Sequence, residues 1–144
     1  MRYLFPLLTL WVTSCASYRS TKQYCSLHYS YYDGKQYEFC LTEELVRNTP
    51  KWDPKVMPNP PLVAAKALHA AEGFIEKLPK GEGANWQFEQ LALTKVFDHH
   101  WAWKAEYYYI SASIVSTGPP ITMQCWILMD GTVVQPQIKK DSRF

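Results

Sequence analysis

The sequence predicts an α+β fold: one main helix packed on a curled antiparallel sheet of three to four strands, preceded by an N-terminal β-hairpin. Three observations predict it. Ala64, Leu68, Ala71, Ile75 and Leu78 recur at steps of four and three, the stripe of an amphipathic helix. Trp101, Trp103, Ala105, Tyr107 and Tyr109 alternate with Lys104 and Glu106, the period of a half-buried strand. Asp33-Gly34 lies between tyrosine-rich segments, a hairpin turn signal between strand formers. A helix followed by an antiparallel meander buries its stripe across one sheet face.

The chain opens with an export signal. Arg2 supplies one positive charge, Tyr3 to Val12 are apolar except for Pro6 and Thr9, and the small residues Ser14, Cys15, Ala16 and Ser17 follow. Polarity returns by Thr13, well short of the roughly 20 apolar residues a membrane span needs. Val12-Thr13-Ser14-Cys15 resembles the lipobox of bacterial lipoprotein signals, and the resemblance implies lipidation of Cys15 as the mature N-terminus. Ser14-Cys15-Ala16 also satisfies the rule for plain cleavage after Ala16. Either route exports the protein: to the cell envelope on a lipid anchor, or as a periplasmic or secreted chain.

Removing the signal leaves about 130 residues, one domain of ordinary size with room for a core. The organisation read from the sequence is a signal segment at 1–15, a hairpin and proline-rich connection at 16–59, and the α+β unit at 60–144. Lys and Arg total 15 against 13 acidic residues, and Arg2 leaves with the signal, so the charge is close to balanced and scattered. Nucleic acid is not implied as a partner. Lys139, Lys140 and Arg143 form a basic cluster at a solvated tail and receive no function.

Cys25 and Cys40 flank the hairpin and form the disulfide candidate, in keeping with export. With Asp33-Gly34 as a two-residue loop, Tyr32 pairs with Lys35 and Leu27 with Cys40, which sets Cys25 one diagonal step from Cys40. Closing such a loop stabilises by about 3 kcal/mol in the chain-entropy model. Cys125 shares the parity of Ile121, Met123, Ile127 and Met129 and reads as a buried inert thiol.

Leu41 to Asn48 then forms a short helix capped by Thr42, with Leu45 and Val46 inward. Five prolines between Pro50 and Pro61 forbid its continuation and make an extended connection anchored by Trp52. The main helix runs from Pro61 to Leu78, with Asn59 as its cap and Pro79, Gly81 and Gly83 ending it. Trp86 to Thr94 alternates at Trp86 and Phe88 but switches parity at Leu91 and Leu93, the mark of a bulge or twist. The aromatic strand Trp101 to Tyr109 and the strand Ile121 to Met129 complete the meander. Turns at Asp98-His99-His100 and Ser116 to Pro120 connect them, and Asp130-Gly131 leads to a short tail strand at Thr132 to Val134.

This order over Pro60 to Pro136 resembles the PepSY-like and cystatin-like α+β folds of exported bacterial proteins. The resemblance rests on the Ala-rich helix, Trp86, the aromatic strand, and Ile127-Leu128-Met129-Asp130-Gly131-Thr132-Val133-Val134. The chain also looks like small uncharacterised exported proteins of planctomycete-type bacteria. Both resemblances imply a binding or inhibitory module and carry no catalytic signature.

The candidate sites follow from residue type. Asp98, His99 and His100 form the one cluster that invites metal or hydrolytic chemistry, but adjacent side chains in a turn diverge and His28 or His69 would have to supply further ligands. No metal site or cofactor is assigned. No nucleophile elbow, phosphate-cradling glycine loop or His-Glu-x-x-His motif occurs, and Glu43, Glu44, Glu72, Glu76 and Glu82 read as solvated helix and loop positions. Tyr29, Tyr31, Tyr32 and Tyr37 crowd the hairpin and form the binding candidate, since tyrosine joins apolar area to a hydroxyl at low entropic cost. The expected function is a non-enzymatic envelope module that binds a protein or peptide by an exposed sheet edge or by the tyrosine hairpin. The alternatives are a secreted hydrolase centred on Asp98, His99 and His100, or a peptidase inhibitor.

Overall fold

The computed structural model describes residues 22–25, 29–111 and 120–140. The export segment with Cys15 and Ala16, Leu27, His28, the turn residues from Ser116 to Pro119, and Arg143 lie outside the described residues. The elements are β1 (Gln23–Cys25), β2 (Ser30–Tyr32), β3 (Lys35–Glu38), β4 (Cys40–Thr42), α1 (Glu43–Val46), α2 (Ala64–Ile75), β5 (Ala84–Phe97), β6 (His100–Ser111), β7 (Thr122–Leu128) and β8 (Gln137–Lys140).

These elements overturn the expected fold class. Instead of one main helix on one curled sheet, the described residues hold eight strands in three antiparallel sheets, ordered β1-β4, β2-β3-β8 and β5-β6-β7, with helices of only 4 and 12 residues. Two physical causes account for the change. The N-terminal hairpin does not stay an isolated ribbon: β8, part of the tail read as solvated, adds to β3 with Lys35 opposite Lys140 and Glu38 opposite Gln137. The helix is also shorter than its stripe. Leu62 is buried, and its carbonyl accepts a hydrogen bond from Trp103 Nε1 at 2.9 Å, which holds the proline-rich approach extended up to Val63 (φ −73°, ψ 149°). Asn59 therefore does not cap α2, and Val63 does so without a side-chain bond.

In the hairpin, Asp33 and Gly34 both take positive φ, 50° and 65°, the twist a two-residue loop needs to match its strands. Tyr32 pairs with Lys35 and Ser30 with Tyr37 as expected. The register then changes. Cys25 lies directly opposite Cys40 rather than one diagonal step away, because five residue steps separate Cys25 from Ser30 while three separate Tyr37 from Cys40. Thr42 caps α1 as read, its Oγ1 accepting from the Leu45 amide at 3.1 Å. Val46 is buried but Leu45 is exposed, a correction that follows from the single-turn length of the helix.

The core lies between α2 and the sheet β5-β6-β7. Ala67, Ala71 and Ile75 are the buried residues of α2, and the two alanines let the helix lie close to the strands. Tyr107, Ala105 and Trp103 face the same way on β6, paired across to Met123, Cys125 and Ile127 on β7. The opposite parity of β7 is buried as well, with Tyr24 of β1 edge-on to Trp126 at 5.8 Å. On that second face Glu106 accepts from Gln90 and from Gln124 and lies 2.7 Å from Lys104 Nζ, a carboxylate with its bonds made.

Candidate functional site

The two edges of the central sheet are finished differently. In an antiparallel ladder the N–H and C=O of one residue point the same way, and the direction alternates along the strand. The Tyr109 amide donates to Ile121 O at 2.9 Å, so Tyr109 turns its backbone toward β7, and Tyr107 does the same by parity. Trp86 and Phe88, opposite Tyr109 and Tyr107, therefore turn their backbone groups away from β6, to the outer edge of β5. No strand other than β6 pairs with β5 among the described residues. The Trp86 amide is occupied by its own neighbour, Asn85 Oδ1, at 2.9 Å, and the Ala84 amide by Gly81 O at 3.1 Å.

On β7 the outward groups belong to Gln124, Trp126 and Leu128, and other parts of the chain cover them. Gln124 N donates to Ser30 Oγ at 3.3 Å, Val134 N donates to Trp126 O at 2.8 Å, and Leu128 N donates to Thr132 O at 2.9 Å. Val133 also forms a bridge to Ile127.

Beside the open edge of β5 runs a groove of about 480 Å³. Asn85, Trp86, Gln87 and Phe88 all line it, so it meets both pleat faces of the strand. Glu72 and Ile75 of α2 and its C-cap residue Glu76 form its wall, and Lys80 also lines it. Tyr107 and Ile110 of β6 also line it. Phe88 is 40% and Ile110 45% exposed, while Trp86 and Tyr107 are 5% and 3% exposed. Phe88 meets Tyr107 edge-on at 5.7 Å.

Trp86 Nε1 and the Tyr107 hydroxyl have no hydrogen-bond partner among the described residues, though both atoms are buried. Burial, then the neighbouring Cys125 and Glu72, hold the Tyr107 phenol well above its ordinary pKa, so it keeps its proton as a donor. Trp126 Nε1, behind β7, is buried without a partner among the described residues in the same way, so these donors belong to the core and are not presented to the groove.

The tyrosines of the hairpin divide between two roles. Tyr37 is buried, and Tyr29 and Tyr31 are 47% and 36% exposed. Tyr32 packs with Trp86 at 4.9 Å and Tyr109 at 4.9 Å, and its hydroxyl donates to Pro79 O at 2.5 Å. Burial, then the hydrogen bond to Tyr109, hold the Tyr32 phenol well above its ordinary value. Gly81 N in turn donates to the Tyr109 hydroxyl at 3.1 Å. Lys80 is thus fixed between two residues whose backbones the aromatic cluster grips.

Asp98 and His99 line a separate hollow of about 250 Å³ with Trp52, Asp53, Lys55 and Lys95, among others. His99 O accepts from Trp52 N at 3.2 Å, and the Trp52 ring lies edge-on to Trp101 at 5.1 Å, so the proline-rich connection docks on this turn. His100 Nδ1 is buried without a partner among the described residues, and burial, then Lys51 and His99, lower its pKa against the opposing Glu43. His69 is on α2, with its Nδ1 3.9 Å from Glu72 Oε2, whereas His100 opens β6 and His99 immediately precedes it. No group of three or more His, Cys, Asp or Glu that could hold a metal occurs among the described residues. Cys125 is buried and its thiol is pushed up to about 12, which leaves it unreactive.

Sequence reasoning singled out the hairpin and the histidine turn but passed over the groove residues Glu72, Glu76, Lys80, Trp86 and Phe88. One signal pointed there: the parity switch between Phe88 and Leu91, which is a register shift between Phe88 and Gln90 on the open edge. Comparison of the chain with protein-family models, curated proteins and solved structures gives no match.

Proposed function

We propose that this chain is an exported, non-enzymatic interaction module, held at the envelope through Cys15, that takes an extended segment of a protein or peptide partner on the outer edge of β5. The observation that carries the reading is the unequal finish of the central sheet. Every outward group named on β7 has a bond from elsewhere in the chain, whereas Phe88 presents its backbone to an open groove. An exposed edge gains a strand through main-chain hydrogen bonds, while pockets for alternate side chains select the partner. The non-enzymatic part rests on the sequence, which carries no nucleophile elbow, phosphate-cradling glycine loop or His-Glu-x-x-His motif. Export and anchoring rest on the N-terminal sequence alone.

The edge is favoured over the tyrosine hairpin because Tyr32 and Tyr37 are engaged within the fold, which leaves Tyr29 and Tyr31 as its exposed members. The test is fluorescence anisotropy with a short labelled peptide alternating valine and threonine. Phe88→Pro removes an outward N–H without touching the β6 ladder and should abolish binding, while Tyr31→Ser should leave it intact. Loss of binding in Tyr31→Ser with retention in Phe88→Pro would move the site to the hairpin. Anchoring is tested separately by fatty-acid labelling, which should disappear in Cys15→Ser.

A further inference from the structure

We infer that the β5 groove selects extended peptides that turn basic residues, at every second position, toward α2, with their aliphatic stems over the apolar floor. The inference rests on the strand-addition reading above and specifies its ligand. Strand addition fixes where the side chains of an added segment go: on one pleat face they lie beside Trp86 and Phe88, under the wall of α2. The floor there is apolar, made by Phe88 edge-on to Tyr107, with Ile75 in the adjoining wall. The wall is acidic. Glu72 and Glu76 are one helical turn apart on the face that lines the groove. Glu76 has no ion-pair partner among the described residues, and Glu72 has only the long approach of an exposed histidine.

The lining holds a single cation, Lys80, whose chain neighbours Pro79 and Gly81 are held by Tyr32 and Tyr109. An anionic segment running along the helix wall meets two carboxylates, whereas a segment carrying Lys or Arg on that side pairs with both.

A second copy of the chain fits this edge less well. The register shifts between Phe88 and Gln90 and between Lys95 and Phe97 limit the regular stretch beside the groove to Ala84–Phe88. That stretch, read through Glu89, offers no cation to the partner's Glu72 and Glu76. Self-pairing would therefore set acidic walls near each other without a counter-charge.

The probes are three labelled peptides of equal length alternating valine with threonine, lysine or glutamate, titrated by anisotropy against the full chain at low and high salt. The lysine peptide should bind about fivefold tighter than the threonine peptide, the glutamate peptide correspondingly weaker, and salt should compress the difference. The double variant Glu72→Lys/Glu76→Lys, at exposed positions, should invert the order. The lysine peptide N-methylated on alternate residues should lose binding whatever the variant, a control that needs no change to the protein.

Equal affinity for the three peptides, with binding still lost in Phe88→Pro, would overturn the charge selection and leave strand addition standing. Failure of all three to bind would overturn both. A concentration-dependent dimer that Phe88→Pro dissolves would put a second copy on the edge and overturn the proposal as well.

Discussion

The edges of β5 and β7 belong to one sheet, and the chain treats them in opposite ways. The β7 edge receives Ser30 from the hairpin and Thr132 to Val134 from the segment after β7, and both faces of that strand are buried. Among the described residues, the β5 edge, on a 14-residue strand, receives a neighbour's side chain and the carbonyl of Gly81. A long unpaired edge is a hazard that proteins usually blunt, and the register shifts near Phe88 and Lys95 do so in part. The contrast shows that closure was available to this fold, since one edge has it. The other edge lies beside an acidic wall, Glu72 and Glu76, which is where the proposed peptide contact is placed.

The comparison can be broken from the covered side with the largest effects. Trp126→Ala removes a buried ring that fills the face behind β7 and should cost about 3–5 kcal/mol, read by chemical denaturation. Val134→Pro deletes the donor to Trp126 O and leaves that carbonyl unsatisfied, for about 1–3 kcal/mol. Ser30→Ala removes the acceptor for the Gln124 amide, for about 1 kcal/mol. On the open side, Phe88→Pro should cost no more than about 1 kcal/mol, mainly its edge-on contact with Tyr107, while abolishing peptide binding. Equal destabilisation by Phe88→Pro and Val134→Pro would mean that the β5 edge is not open.

The smallest effect is a pH dependence remote from both edges. His100 is shifted below the ordinary imidazole value of 6.5 by burial and by Lys51 and His99, with Glu43 opposing. The unfolded chain therefore takes up its proton at higher pH than the folded chain. This contribution to stability is complete above 6.5 and is lost as pH falls through the lower folded value. Thermal melts across that window should show the decline in the parent protein and a flatter profile in His100→Gln.

Much of the local structure is written in the residues. Asp33-Gly34 dictates its turn and the pairing of Tyr32 with Lys35, and the parity of Trp101 to Tyr109 gives the face that β6 turns to the core. The parity switch after Phe88 announces the irregularity of β5. What the sequence hides is non-local. Nothing in Gln137 to Lys140, all exposed, signals that they pair with β3 across the chain. The start of α2 is decided by the bond from Trp103 to Leu62, 41 positions away, rather than by a local cap. The site was illegible for the same reason: Glu72 and Glu76 read as solvated helix residues until the fold sets β5 beside them.

The central claim is that the β5 edge is open in the free chain and closes on an extended peptide. Residue-resolved amide hydrogen exchange tests it most directly. The Phe88 amide should exchange fast in the free protein and become protected on addition of the lysine–valine peptide, while the Leu128 amide, bonded to Thr132 O at 2.9 Å, should stay protected throughout. A Phe88 amide already protected in the free chain, or unchanged at saturating peptide, would contradict the account.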